Sequence, residues 1–263
     1  MSETAVIENA GRVIAIGDIH GCIDELNQLL FRLEPGAGDT IVFLGDYCDR
    51  GPDSAAVITR ILELQMIPDL NVHCVLGNHD LMMMQWFNYS INPETDAQMR
   101  SEQEQLWFMN GGLNTLNSYM VDGEISIPNA HIEFLQALPY YLETTIGDER
   151  FIFVHAGFQA DRTIGEQIAA LDTPARDTVQ DHMLWGRDFN RMWFDRNRRV
   201  AAWEPDTTVV VGHNIVSEPE NYGNLIRIDT GGFIQKKYGF HPRNEPGRIT
   251  AVELPNRRFT FTT

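Results

Sequence analysis

Five polar stretches each end an apolar run in this chain: Asp18-Ile19-His20, Asp46 through Arg50, Asn78-His79-Asp80, His155-Ala156-Gly157 and His213-Asn214. The runs before them are RVIAIG, TIVFLG, NVHCVLG, FIFV and TVVVG. Carboxylates, imidazoles and a carboxamide in such places are donors for hard and borderline divalent cations. Taken singly, each stretch is more often a glycine-bent turn than a ligand, since a lone Asp-x-His is frequent by chance. Taken together, directly after five strands, they converge on one site. Asp18, His20, Asp46, Asn78, His155 and His213 form a set too large for one tetrahedral ion. The set suits two divalent ions sharing a carboxylate, and without thiolates Mn²⁺ is the first candidate, with Fe or Zn²⁺ next.

The flanking pattern says how such residues would meet. Arg12–Gly17 reads as a strand, and Cys22–Leu33 as an amphipathic helix with Ile23, Leu26, Leu29, Leu30 and Leu33 on its apolar face. A turn at Pro35–Asp39 leads to the strand TIVFL. Next come a helix over Ser54–Gln65, with Ser54 as N-cap, and a strand at Leu70–Gly77. This alternation predicts βαβ units and parallel strands, whose carboxyl ends face one crevice. Asp18 and His20, two apart, would project to one side if extended. Leu81 to about Leu138 is helical by pattern, and strands return at YYLETTI, RFIFVH, TTVVVGH, NLIRIDT, RITAVEL and RFTFTT. The expected layout is a tail at 1–11 and one domain at 12–263 with a helical insert at about 81–138.

Composition narrows the partners. The 263 residues carry 37 acidic and 20 basic side chains, a net charge of −17. Such a surface repels a nucleic-acid backbone, so no nucleic-acid partner is expected. No window reaches a membrane-spanning length, and no signal peptide is evident in MSETAVIENAG. Cys22, Cys48 and Cys74 are odd in number and form no CxxC pair, which fits a reducing, cytoplasmic setting. Small buried filler is the expected role of Cys22 and Cys48. Arg187, Arg191, Arg196, Arg198 and Arg199 are a local exception to the acidity, and Arg191 to Arg199 read mainly as a solvated face. Met82–Met84, Trp86 and Phe87 read as core.

In this order and spacing, GDIHG, GDYCDRG, GNHD, HAG and GHN resemble the metallophosphoesterase superfamily. DRG resembles its phosphoprotein phosphatase branch, above all bacterial and phage-type members. The resemblance implies a calcineurin-like α/β fold: a four-layer sandwich of two mixed sheets flanked by helices. It implies one ion on Asp18, His20 and Asp46, and a second on Asp46, Asn78, His155 and His213. Two departures stand out. The third motif ends in Asp80 where protein phosphatases usually carry Glu; Asp at this place also occurs in the related symmetrical diadenosine tetraphosphatases. Ile215 stands where cyclic-nucleotide phosphodiesterases have the second His of GHxH.

Two cations beside a crevice lower the pKa of a shared water, which can then attack phosphorus in line. Arg50 is suited to grip phosphate oxygens in pairs. Asn78 lies beside them. By resemblance His79 is the general acid, kept protonated by Asp49, and Arg187 completes the phosphate clamp, from the segment HMLWGRDF. NGG at Asn110–Gly112 resembles a turn of phage-type phosphatases near the substrate groove. The expected reaction is hydrolysis of phosphoserine or phosphothreonine in phosphorylated proteins, phosphotyrosine included. Symmetrical hydrolysis of a dinucleoside polyphosphate is the alternative, and a non-catalytic phosphoprotein-binding module the remote one.

Overall fold

Along β2 (Val13–Ile16), Val13 and Ala15 pack into one apolar cluster while Ile14 and Ile16 pack into another. Side chains alternate faces along a strand, so both faces of this strand are covered. The same split occurs in β8 (Glu149–Val154), where Phe151 and Phe153 face inward with Val13 and Ile152 and Val154 face outward. Two sheets therefore lie face to face, sharing the cluster of Val13, Ala15, Val42, Phe151, Phe153, Val210 and Ile226. Each fully buried aliphatic or aromatic side chain there contributes about 1.5–3 kcal/mol.

The computed structural model describes residues 4–7, 11–92, 94, 96–188, 199–238 and 247–263. One sheet has the order β1-β7-β8-β9-β11-β10. It is built from β1 (Thr4–Val6), β7 (Tyr141–Ile146), β8, β9 (Thr207–Val211), β10 (Glu220–Asn221) and β11 (Leu225–Arg227). The other has the order β12-β13-β2-β3-β4, with β14 paired to β13. It adds β3 (Thr40–Phe43), β4 (Asn71–Cys74), β12 (Asp229–Thr230), β13 (Arg248–Leu254) and β14 (Arg258–Phe261). As the βαβ pattern requires, β2, β3 and β4 run parallel, with Ile16 opposite Phe43 and Phe43 opposite Cys74. Both sheets also contain antiparallel pairs, so both are mixed.

The connecting helices close the outer faces. Helix α1 (Ile23–Leu33) buries Leu26, Leu29, Leu30 and Leu33, the i, i+3, i+4, i+7 stripe of an amphipathic helix, and packs on β13 and β14. Helix α2 (Ser54–Gln65) packs on α1 and β4. Its N-cap is Asp53, whose carboxylate accepts the Ala56 N–H at 2.8 Å, so the cap lies one residue before the expected Ser54. Outward-facing Ile152, Val154, Val209 and Val211 share their cluster with Ile164 of α7 (Ile164–Ala170) and Val179 and Met183 of α8 (Arg176–Trp185).

The expected helical insert is present, and it also holds a small hairpin. It comprises α3 (Asn78–Ile91), α4 (Ala97–Met109), α5 (Gly112–Ser118), the hairpin β5 (Met120–Val121) and β6 (Glu124–Ile125), and α6 (Asn129–Ala137). The insert begins earlier than Leu81, because Asn78 and His79 already form the first turn of α3. Two further differences concern chain paths. Thr4–Val6, within the stretch read as a tail, pairs in parallel with Tyr141–Glu143. The run NLIRIDT is not one strand: β11 belongs to the first sheet and β12 to the second, and Ile228 crosses the sandwich core between them. Among the described residues no helix is long and apolar enough to cross a membrane.

Candidate metal centre and phosphate cleft

Parallel strands β2, β3 and β4 deliver Asp18, Asp46 and Asn78 to one edge of the second sheet. Strands β8 and β9 deliver His155 and His213 from the first. All are buried except His213, which is partly so. The loops crowd closely. A Cβ at Gly77 would fall 2.2 Å from the Asp46 amide nitrogen and carboxylate, and one at Gly212 would fall 2.1 Å from the Asp18 carboxylate. Only glycine admits these approaches.

Asp46 is the centre of the arrangement. Its Oδ2 lies 3.4 Å from His20 Nε2, and its Oδ1 lies 3.4 Å from His155 Nε2. Ligand atoms of His20, Asp46 and His79 lie within 4.8 Å of one another, and so do those of Asp46, His155 and His213. The tautomers suit cation binding. His20 Nδ1 donates to the Cys48 carbonyl and His155 Nδ1 to the Leu44 carbonyl, each at 2.8 Å, leaving both Nε2 lone pairs turned inward. Asn78 Oδ1 lies 2.8 Å from His155 Nε2. His213 Nε2 is buried without a hydrogen-bond partner, an orphan that a cation would satisfy. The donor set thus fits a pair of divalent ions. Burial also keeps these rings neutral, drawing His155 down to about 4 and His213 to about 2.

Asp18 stands apart from both histidine trios. Its carboxylate accepts the His213 N–H at 3.1 and 3.2 Å and shares a hydrogen bond with Asp229. Burial raises the pKa of both carboxyls, and their mutual repulsion raises Asp18 further. Asp229 escaped the sequence reading because it reaches the site only through the sheet crossing at Ile228. His20 differs from expectation too: its φ is +47°, so it does not continue an extended Asp18–His20 segment.

The second motif supplies the remaining polar groups. Arg50 reaches His20 Nε2 and His79 Nε2, each at 2.8 Å, and its guanidinium lies 4.6 Å from the centroid of the Phe233 ring. His79 Nδ1 lies 2.7 Å from Asp49 Oδ2, the pairing that the resemblance implied. A standing charge on His79 is opposed, however. Burial draws its pKa down to about 4, with Arg50 and His155 acting in the same sense against Asp46. Burial likewise pushes Asp49 up to about 7, against donors from Thr115 and Trp107.

Asp80 turns away from the cleft. Its carboxylate accepts the N–H groups of Asp46, Tyr47 and Gly77 at 2.8–3.0 Å, pinning the second motif to the third. The Asp-for-Glu difference there lies in a scaffold contact, so its bearing on substrate is indirect. Asn214 also has a supporting place: its side-chain amide donates to Gly186 O at 2.8 Å and ties the Trp185–Arg187 turn beside His213.

Asp46, Arg50, Asn78, His79, Asn110, Trp185, Arg187, His213, Asn214 and Ile215 line a cleft of about 270 Å³. Every candidate phosphate-contacting residue is thus in one place, and Asn110 of the NGG turn joins them. A larger groove of about 460 Å³, lined by Leu62, Val72, Phe134 and Leu142, shares no residue with it. Arg191, Arg196 and Arg198 lie outside the described residues. Cys22, Cys48 and Cys74 are buried and unpaired, and Met82–Met84 are core, as expected.

The calcineurin-like phosphoesterase model matches residues 11–230. The asymmetrical bis(5'-nucleosyl)-tetraphosphatase PrpE of Oceanobacillus iheyensis is 26% identical over 259 residues, covering 94% of this chain and 90% of that protein. Serine/threonine-protein phosphatase 1 of Salmonella typhimurium is 31% identical over 229 residues, covering 85% and 88%. Among solved structures, one described as a candidate diadenosine tetraphosphatase superposes with a TM-score of 0.62 at 20% identity, covering 100% of this chain and 98% of that one.

Proposed function

The chain belongs to the calcineurin-like phosphoesterases, and on that premise we propose that it hydrolyses dinucleoside polyphosphates at a centre of two divalent cations. The observation that carries the reading is Asp46, whose two oxygens face histidines from different sheets. We assign Asp18, His20 and Asp46 to one cation and Asp46, Asn78, His155 and His213 to the other, with Mn²⁺ as the ion. Bound there, the cations would polarise phosphoryl oxygens and acidify a water.

The chain's own groups do the rest. Arg50 and Arg187 line the same cleft and bind the polyphosphate oxygens, with the Asn78 amide beside them. His79 Nε2 points toward Arg50 and the cleft; it takes up a proton from solvent there and delivers it to the departing oxygen, while Asp49 holds the ring by Nδ1–H. Trp185 and Ile215 give the cleft an aromatic and an aliphatic wall, surfaces on which a nucleobase can rest. The likeness to the Oceanobacillus tetraphosphatase over nearly the whole chain supports this substrate class.

A specific second reading is phosphoprotein hydrolysis, favoured by the 31% identity to the Salmonella phosphatase and by the Asp49–His79 pair. A panel of diadenosine tetraphosphate, phosphoserine peptide and p-nitrophenyl phosphate, each with Mn²⁺, separates the two. Fastest turnover is expected on the dinucleotide, yielding ATP and AMP for an asymmetrical cut or two ADP for a symmetrical one. Faster turnover of the phosphopeptide would replace this reading by the second. Failure on all three would favour a non-catalytic phosphoprotein-binding module.

A further inference from the structure

We propose that Trp107 and Thr115 of the helical insert are positioning residues for His79, acting through Asp49. The inference rests on the assignment of proton transfer to His79. Trp107 is fully buried, and its indole N–H donates to Asp49 Oδ1 at 2.9 Å and Oδ2 at 3.0 Å. Thr115, also fully buried, donates its hydroxyl to Asp49 Oδ1 at 2.7 Å. With these oxygens held, Oδ2 faces His79 Nδ1 at 2.7 Å. That hydrogen bond fixes the tautomer and turns Nε2 to the cleft.

The same corner holds the backbone. Asp49 and Arg50 are consecutive non-glycine residues with φ of +73° and +68°. Left-handed backbone at such residues costs of order 1–3 kcal/mol each and persists only where surroundings impose it. Here the Asp49 N–H is accepted by Thr115 Oγ1 at 2.8 Å and Ser54 Oγ at 3.1 Å. The Thr115 hydroxyl meets both demands, giving its one proton to Asp49 and accepting from the amide. The Arg50 N–H meets Gly111 O at 3.4 Å, and Asn114 Nδ2 donates to Arg50 O. Gly111 lies so near that a Cβ there would fall 2.8 Å from the Arg50 nitrogen. The insert thus grips the Asp49–Arg50 pair by side chain and main chain together.

The test compares phenyl phosphate, whose departing group needs a proton, with p-nitrophenyl phosphate, whose departing group does not. Trp107→Phe keeps the ring against Trp86, 4.9 Å away, but loses the donor. Trp107→Phe and Thr115→Val should each lower kcat on phenyl phosphate about tenfold, the cost of roughly one buried hydrogen bond. KM, bound metal and p-nitrophenyl phosphate turnover should hardly change. Thr115→Ser should restore the rate, and Trp107→Phe should add nothing in a His79→Asn background. Equal losses on both esters, or additive losses with His79→Asn, would overturn the inference, and the Thr115 pair decides if Trp107→Phe does not fold. If His79→Asn alone shows no leaving-group bias, the proton-transfer assignment fails instead.

Discussion

The two ends of the same strands treat charge in opposite ways. Arg12 and Asp39 stand at the starts of β2 and β3, and Asp18 and Asp46 stand just past their ends. At the starts, Arg12 pairs with Asp39 at 2.7 Å and with Glu253 at 3.1 Å, both acids partly open to solvent or shared with Arg258. Although burial resists, the hydrogen bonds from arginine bring the Asp39 and Glu253 carboxyls below their ordinary values. At the far ends, burial dominates and raises Asp18 and Asp46, while it lowers His20, His155 and His213. One edge of the sheet is electrostatically at rest; the other is held in a state that a cation relieves. The difference marks where stability was traded for chemistry.

The strongest way to break this contrast is Asp46→Asn. Loss of both cations and a fall in turnover of about 1,000-fold are expected, since the group shared by both ions is gone. Metal analysis of the purified variant checks the first, and steady-state kinetics the second. In metal-stripped protein the same change should leave the melting temperature equal or higher, because a carboxylate that burial disfavours has been neutralised. A lower melting temperature for stripped Asp46→Asn would erase the distinction between the two ends.

A smaller effect sharpens it. Asn214→Ala releases the Gly186 carbonyl and with it the turn carrying Arg187. The loss of about 1 kcal/mol of hydrogen bonding should appear as a roughly fivefold rise in KM, with metal content unchanged. Unchanged KM would show that Arg187 is held by other means.

The mildest change lies at the resting edge. Asp39→Asn should cost about 1 kcal/mol or less, the usual worth of a partly exposed pair, and leave kcat alone. The sign of its pH dependence follows from the lowered carboxyl. The contribution is complete above the unfolded value and is lost as pH falls through the lowered folded value. Chemical denaturation of both proteins from pH 7 down to about pH 2 measures it; a gap that does not narrow toward the acid end would contradict the pairing.

Much of this was legible in the sequence, and the omissions share a cause. Period-2 and helical spacing sufficed for β2, α1, β3, α2 and β4, and the polar ends of the strands led to Asp46, His155 and His213. Those signals are local. Asp49 and Arg50 take left-handed backbone because Thr115 and Gly111, more than 60 positions away, impose it. Trp107 looks like one more apolar residue of an insert helix until its N–H is seen on Asp49. Asp229 lay in what read as a single strand, because nothing in NLIRIDT shows that the chain changes sheets at Ile228. Standing charge on His79 was expected from its partner alone; desolvation, which depends on all its neighbours, runs the other way.

The contacts at Gly77 and Gly212 have a consequence for shuffling this chain with its relatives. Each glycine accommodates a carboxylate from a distant stretch, Asp46 in one case and Asp18 in the other. A chimera whose crossover parts those stretches inherits two loops shaped to different neighbours, so productive recombinants should exchange the whole rim as one block.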